Sequence, residues 1–256
     1  MKKTILLSSL FAVGAAFAAT EVDSGNAVGA LDLSVSNNVP SQQQTLISVP
    51  FVGYETGGAV KVADMVKTSN LADGSKLYVA NATAGGYDSW KLEEGTWKAD
   101  KKVTIGPSGV VEGEALDQNA ATVPRGGSFW LEPQFSSGTE GTIYLLGQKG
   151  AGDGVSAATG NAWNLLGNAS VGAVQLENNS ETSGFTDGDQ VVVQVNGKLR
   201  YYTYKGSKGG WRYTTSAGKW SVPSTDRLTI AAGQGFWFRS ATAKNISWTD
   251  GKVVAP

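Results

Sequence analysis

The chain has 256 residues, 41% of them hydrophobic and 17% charged, with a net charge of −1. That is room for one or two domains and too apolar a composition for a disordered chain. There is no cysteine and no histidine, which excludes thiol nucleophiles, histidine general bases, Ser-His-Asp triads, thiolate zinc sites and disulfide staples.

The first elements in chain order are those of an export signal. Lys2 and Lys3 precede a run of apolar and small residues from Thr4 to Phe17, and Ala16-Phe17-Ala18 forms an A-x-A cleavage site. Residues 1–18 are therefore expected to be a signal peptide rather than a membrane span, because the run is too short. No cysteine follows to take a lipid anchor. No later stretch has the ~18 apolar residues of a spanning helix. Cleavage removes two lysines and leaves 19 basic and 22 acidic residues, a net charge of −3. Overall charge thus gives no case for binding nucleic acid or anionic lipid. A secreted chain without cysteine fits a bacterial exported protein, bound for the extracellular space, the cell surface or the periplasm.

Residues 19–43 are expected to form an N-terminal strand segment, followed by two copies of one unit. The first copy spans 44–146 and the second 161–256, with a Gly/Ser/Ala-rich linker over 147–160. Ala59–Trp97 aligns without a gap on Ala173–Trp211 at an offset of 114, with 11 identities in 39 positions. Among them are Asp73-Gly74 over Asp187-Gly188, Tyr87 over Tyr201, Lys91 over Lys205 and Trp97 over Trp211. After a seven-residue contraction, Val123–Leu131 falls over Ile230–Phe238. Upstream, Leu46–Phe51 is placed over Trp163–Asn168. The 34 glycines follow no three-residue period and punctuate short Val, Ile, Thr and aromatic runs.

Strands are expected over Lys76–Val79, Asp88–Leu92, Thr96–Lys98 and Ser128–Glu132, with one helical turn possible at Val62–Lys67. In the second copy Gln190–Val195, Asn196-Gly197 and Lys198–Tyr204 form a hairpin pattern, since Asn-Gly suits a type I′ turn. A further hairpin is expected around Ser216-Ala217-Gly218, then strands at Leu228–Ile230 and Gly235–Arg239. The fold class is all-β: two tandem copies of a ~90-residue antiparallel unit, either barrel or sandwich.

Four segments occur in order: Asn26–Leu33, Thr45–Phe51, Trp163–Asn168 and Ile230–Phe238. In them the chain resembles a family of uncharacterised secreted β-rich proteins from Verrucomicrobia, Lentisphaerae and related bacteria. The resemblance implies export and a β-rich fold, and carries over no activity or catalytic residue.

Exposed Trp and Tyr rings can stack on sugar faces. Trp97, Trp211, Trp130 and Trp237 recur at equivalent positions with apolar neighbours, so they are expected in the cores. Tyr202, Tyr204, Tyr87 and Trp90 are the surface candidates for ligand binding. In Tyr201-Tyr202-Thr203-Tyr204, strand alternation sends Tyr202 and Tyr204 to one face and Tyr201 to the other. No catalytic residue stands out. Asp23-Ser24-Gly25 lacks the strand of an aspartic protease, and Ser216–Lys219 falls in a turn. Asp73 and Asp187 suit turns better than a metal, and Glu93-Glu94 has no partner acid at glycosidase spacing. The expectation is an exported, non-catalytic cell-surface or matrix protein without cofactor or metal. Its partner would be a polysaccharide or another surface protein, not nucleic acid, and it would not span a membrane. The alternatives are a secreted carboxylate-based hydrolase and a structural subunit of a surface layer or appendage.

Overall fold

The computed structural model describes residues 28–36, 44–52, 58–81, 86–106, 109–115, 122–148, 150, 154–176, 184–195, 198–213, 228–249 and 252–254. The expected signal peptide, the Asn196-Gly197 turn and the hairpin around Ser216-Ala217-Gly218 lie outside these residues. The first half contains β1 (Val28–Ser36), β2 (Thr45–Ser48), β3 (Val60–Lys61), the short helix α1 (Val62–Met65), β4 (Lys76–Asn81), β5 (Gly86–Glu93), β6 (Thr96–Gly106), β7 (Gly109–Ala115), β8 (Thr122–Val123), β9 (Ser128–Glu132) and β10 (Glu140–Gln148). The second contains β11 (Gly154–Ala158), β12 (Trp163–Gly167), β13 (Val174–Leu176), β14 (Gln190–Val195), β15 (Lys198–Lys205), β16 (Gly210–Tyr213), β17 (Thr229–Ile230), β18 (Gly235–Arg239), β19 (Lys244–Thr249) and β20 (Lys252–Val254). The chain is all-β, and its sheets are open layers rather than a closed barrel, so each unit is a sandwich.

The two units repeat one plan. The main sheet of the first has strand order β2-β9-β4-β5-β6-β7, and that of the second β12-β18-β14-β15-β16. Facing them are β1-β10 and β3-β8 in the first unit, and β11-β19-β20-β13-β17 in the second. The β1-β10 pair thus corresponds to β11-β19, and Gly154–Ala158 is a strand inside the stretch expected to be a linker. The two units fill one gap differently. In the second, β20 lies between β19 and β13 and runs parallel to β13. In the first, α1 takes that place: Val62 and Met65 are buried, Val66 bridges Leu145 and Lys67 N donates to Tyr144 O. Period-2 alternation supplies each core. Leu77, Trp90, Leu92, Phe129 and Leu131 point inward in the first unit, and Val191, Val193, Tyr204, Trp211, Phe236 and Phe238 in the second.

Strand pairing corrects the sequence alignment in two places. Leu46 pairs Trp130 and Leu165 pairs Trp237, so Leu46 corresponds to Leu165, two residues beyond the expected match with Trp163. Leu77 pairs Trp90 and Val191 pairs Tyr202, so Trp90 corresponds to Tyr202 and Leu92 to Tyr204. The gapless match over β5 and β15 hid two compensating changes. Asn81 pairs Gly86 where Val195 pairs Lys198, which makes the first connection two residues longer in the first unit. Glu93 pairs Thr96 where Lys205 pairs Gly210, which makes the next one two residues shorter. The identities Tyr87/Tyr201 and Lys91/Lys205 are therefore not structural equivalents, whereas Trp97/Trp211 are, opposite Leu92 and Tyr204.

The units meet through reciprocal contacts, as at an approximate two-fold axis. Ser48 N donates to Gly233 O at 2.8 Å, and its counterpart Gly167 N donates to Gly126 O at 2.8 Å. Ile47 bridges Gln234, and Leu166 bridges Gly127. The backbones approach so closely that a Cβ on Gly167 would collide with Gly127 O and Ser48 Cβ, and one on Gly235 would stand 2.6 Å from Leu46 Cγ. Trp130 and Trp237 were expected in the two cores. They lie instead on the outward faces of their sheets, half-buried against one another with ring centroids 5.1 Å apart.

Candidate functional site

Directly paired residues of an antiparallel sheet share a face, so pairing defines what the main sheet of the second unit shows outward. One cross-strand row reads Trp163–Arg239–Gln190–Thr203–Arg212, from β12 to β16. The adjacent row reads Leu165–Trp237–Val192–Tyr201. Tyr201, 58% exposed, and Trp163, 45% exposed, are the two exposed aromatic side chains among the described residues. Leu199, also exposed, follows Tyr201 on the same face. The Arg239 guanidinium carbon lies 6.0 Å from the Trp163 ring centroid, within cation–π range.

The positions between these rings are polar and uncommitted. The side chains of Gln190 and Thr203 make no hydrogen bond among the described residues, and neither arginine of the row forms an ion pair there. Arg212 Nε is buried without a hydrogen-bond partner among the described residues.

The matching row of the first unit is Gln44–Glu132–Lys76–Lys91–Lys98. It also carries cations, but acids surround them. Lys91 Nζ is 3.1 Å from Glu93 Oε1, and Lys98 Nζ is 3.7 Å from Glu93 Oε2 and 3.3 Å from Glu94 Oε2. Glu132 sits where the second unit has Arg239, and accepts a hydrogen bond from Tyr78 Oη at 2.9 Å. No aromatic ring stands at the place of Trp163 or Tyr201, which Gln44 and Ser89 occupy.

The residues expected to bind ligand do not form an exposed group. Tyr204 is 1% exposed and Trp90 3% exposed, and both belong to cores. The alternation along β15 was read correctly, but the outward face is the one that carries Tyr201. Tyr202 is opposite Val191, which points inward, so Tyr202 and Tyr204 follow it; Trp90 is likewise opposite inward-facing Leu77. Tyr202 is half-buried, edge-on to Tyr213 at 5.9 Å. Tyr87 is half-buried in the other unit, opposite Ala80, so these two tyrosines share no surface. Trp163, Arg239 and Arg212 were missed. Their signal was available in principle: each falls one or three residues from inward positions of well-patterned strands, but only pairing shows that they form one row.

Other polar groups are engaged in structure. Asp73 accepts hydrogen bonds from Glu94 N at 3.0 Å and Gly95 N at 3.3 Å, and Asp187 accepts one from Gly206 N at 2.6 Å, so both carboxylates hold the adjoining turn. A hollow of about 690 Å³ in the first unit is lined by Trp97, Met65, Lys61, Asp64 and Lys67 among others. Trp97 Nε1 donates to Val66 O there, and Lys67 Nζ to Asp64 O. Among the described residues no three acidic side chains cluster to hold a metal, and no helix is long and apolar enough to cross a membrane. Comparisons with protein-family models, curated proteins and solved structures found no match to this chain.

Proposed function

We propose that this is an exported, non-catalytic β protein of the bacterial cell surface or matrix that binds polysaccharide on the outward face of its second main sheet. One observation carries the reading. Trp163 and Tyr201 are exposed on a single face, and the positions between them hold Arg239, Gln190 and Thr203 with unused hydrogen-bonding capacity. Rings that offer apolar area beside uncommitted polar groups suit a sugar chain, whose CH faces stack and whose hydroxyls need partners. Glu93 and Glu94, the adjacent acids that a carboxylate-based hydrolase could draw on, are engaged with Lys91 and Lys98.

The test is polysaccharide binding by the full chain and by the Trp163→Ala/Tyr201→Ala double variant. Binding should be saturable and should weaken at least about tenfold, ~1.4 kcal/mol, in the variant. Stability should stay within ~0.5 kcal/mol, because the truncated rings are on the surface. No saturable binding to any polysaccharide would favour a structural subunit instead.

A further inference from the structure

We infer that the polysaccharide taken by this face is anionic, bearing carboxylate or sulfate groups along its length. The inference rests on the glycan-binding reading and narrows it. The row Trp163–Arg239–Gln190–Thr203–Arg212 places two arginines on one face, their backbone positions three strand spacings or about 14 Å apart. Neither is paired with an acid among the described residues.

The first unit shows how the same backbone neutralises such a row. Glu93, Glu94 and Glu132 stand beside Lys91, Lys98 and Lys76. In the second unit Arg239 replaces the acid at Glu132. The turn that carried Glu93 and Glu94 becomes Lys205-Gly206-Ser207-Lys208-Gly209-Gly210, which holds no acid. The acids were exchanged together with a change from lysine to arginine at Arg212, whose counterpart is Lys98. Arginine's planar fork matches a carboxylate or sulfate in two parallel hydrogen bonds, whereas lysine offers a point charge.

Arg212 is half-buried on this face and forms no ion pair among the described residues, so its charge is left for an incoming anion. Arg239 lies over Trp163, which orients its guanidinium and leaves its edge for an anion. The attraction is local, because the chain as a whole carries a net charge of −1. General steering of polyanions is therefore absent, and the two arginines have to supply the selectivity.

The experiment measures binding of the full chain to polygalacturonate, dextran sulfate, neutral dextran and a single-stranded DNA oligonucleotide. One or both acidic polysaccharides should bind at least about tenfold more tightly than dextran, and should weaken as salt rises from about 50 to about 300 mM. The polygalacturonate and dextran sulfate arms tell carboxylate from sulfate recognition. Arg239→Gln should reduce acidic-polysaccharide binding by about tenfold and Arg239→Lys should restore it only in part, while Lys98→Gln should leave it unchanged. Arg239 is exposed, so this variant does not depend on the fold tolerating a buried change. Equal, salt-insensitive binding of neutral dextran would overturn the anionic assignment and leave glycan binding standing. Tighter binding of DNA than of any polysaccharide would overturn it in favour of a nucleic-acid partner. Absence of all polysaccharide binding would remove both readings together.

Discussion

In the first unit the ring cluster under the main sheet is largely aliphatic: Leu71, Leu92 and Leu131 surround a half-buried Trp97. At the matching places the second unit has Phe185, Tyr204 and Phe238 around a fully buried Trp211, with ring centroids 5.0 Å apart for Phe185–Trp211 and 5.4 Å for Tyr204–Trp211. The outward faces differ in the opposite sense. The first unit carries lysines closed off by acids, the second exposed rings and two arginines without an ion pair among the described residues. Because alternate residues of a strand point to opposite faces, one copy can exchange its interior and its surface independently while keeping the pairing. Two copies with one topology thus differ at both layers.

The largest expected difference lies in the cores. Trp211→Ala should cost about 3–5 kcal/mol, while Trp97→Ala, at a half-buried ring, should cost about half as much. Urea denaturation of the two variants measures both. Equal losses would mean that the two cores are energetically alike despite their different packing.

Next comes the residue that begins each main hairpin. Asp189 is buried and ion-paired to Lys244 at 3.4 Å, and also accepts from Thr186 N and Oγ1. Its counterpart Ser75 accepts from Gln134 N at 2.9 Å and donates to Ala72 O at 2.8 Å. Asp189→Ala leaves a nearly buried ammonium without its acid, with Gly184 O as its remaining acceptor at 2.7 Å, and should cost about 3 kcal/mol. Ser75→Ala should cost about 1–2 kcal/mol. Midpoints of chemical denaturation at neutral pH give both values, and a Ser75 effect as large as the Asp189 effect would refute the distinction.

The smallest effect is expected at the seam. The Trp130–Trp237 ring contact should contribute about 1 kcal/mol beyond the burial of each ring, read as the coupling between Trp130→Ala and Trp237→Ala in a double-mutant cycle. The clearer signature of Trp237→Ala is thermal: the units should begin to unfold in separable transitions by calorimetry, since the contact that couples them is weakened. A single unchanged transition would show that the backbone bonds Ser48–Gly233 and Gly167–Gly126 couple the units without the rings.

Much of the architecture could be read from residue order. Gly235–Arg239 and Gln190–Val195 have the lengths and alternation of the strands they form. The duplication is visible in Asp73-Gly74 and Asp187-Gly188, because a glycine at positive φ is hard to replace: Gly74 has φ +94° and Gly188 φ +98°. Other elements were not legible. Gly154–Ala158 reads Gly-Val-Ser-Ala-Ala, small residues that suit a linker as well as a strand, and only pairing with β19 commits them. The Trp130 and Trp237 positions carry the apolar pattern of a core, and composition alone does not distinguish a core from a junction between two units.

Local chemistry therefore settled that this chain makes short strands, where many of them lie, and that two copies follow one another. Hydrophobic period and turn residues act within a few positions, so they leave a readable trace. The sense of each face was a tertiary decision. Along Tyr201-Tyr202-Thr203-Tyr204 the alternation is plain, but which side meets the core depends on Val191 and Val193 across the hairpin and on the second layer behind them. The outward row is also tertiary: Trp163, Arg239, Gln190, Thr203 and Arg212 come from five strands spread over 77 residues of chain. They become neighbours only through hydrogen-bond register, a property of strand pairs that no single stretch of sequence carries.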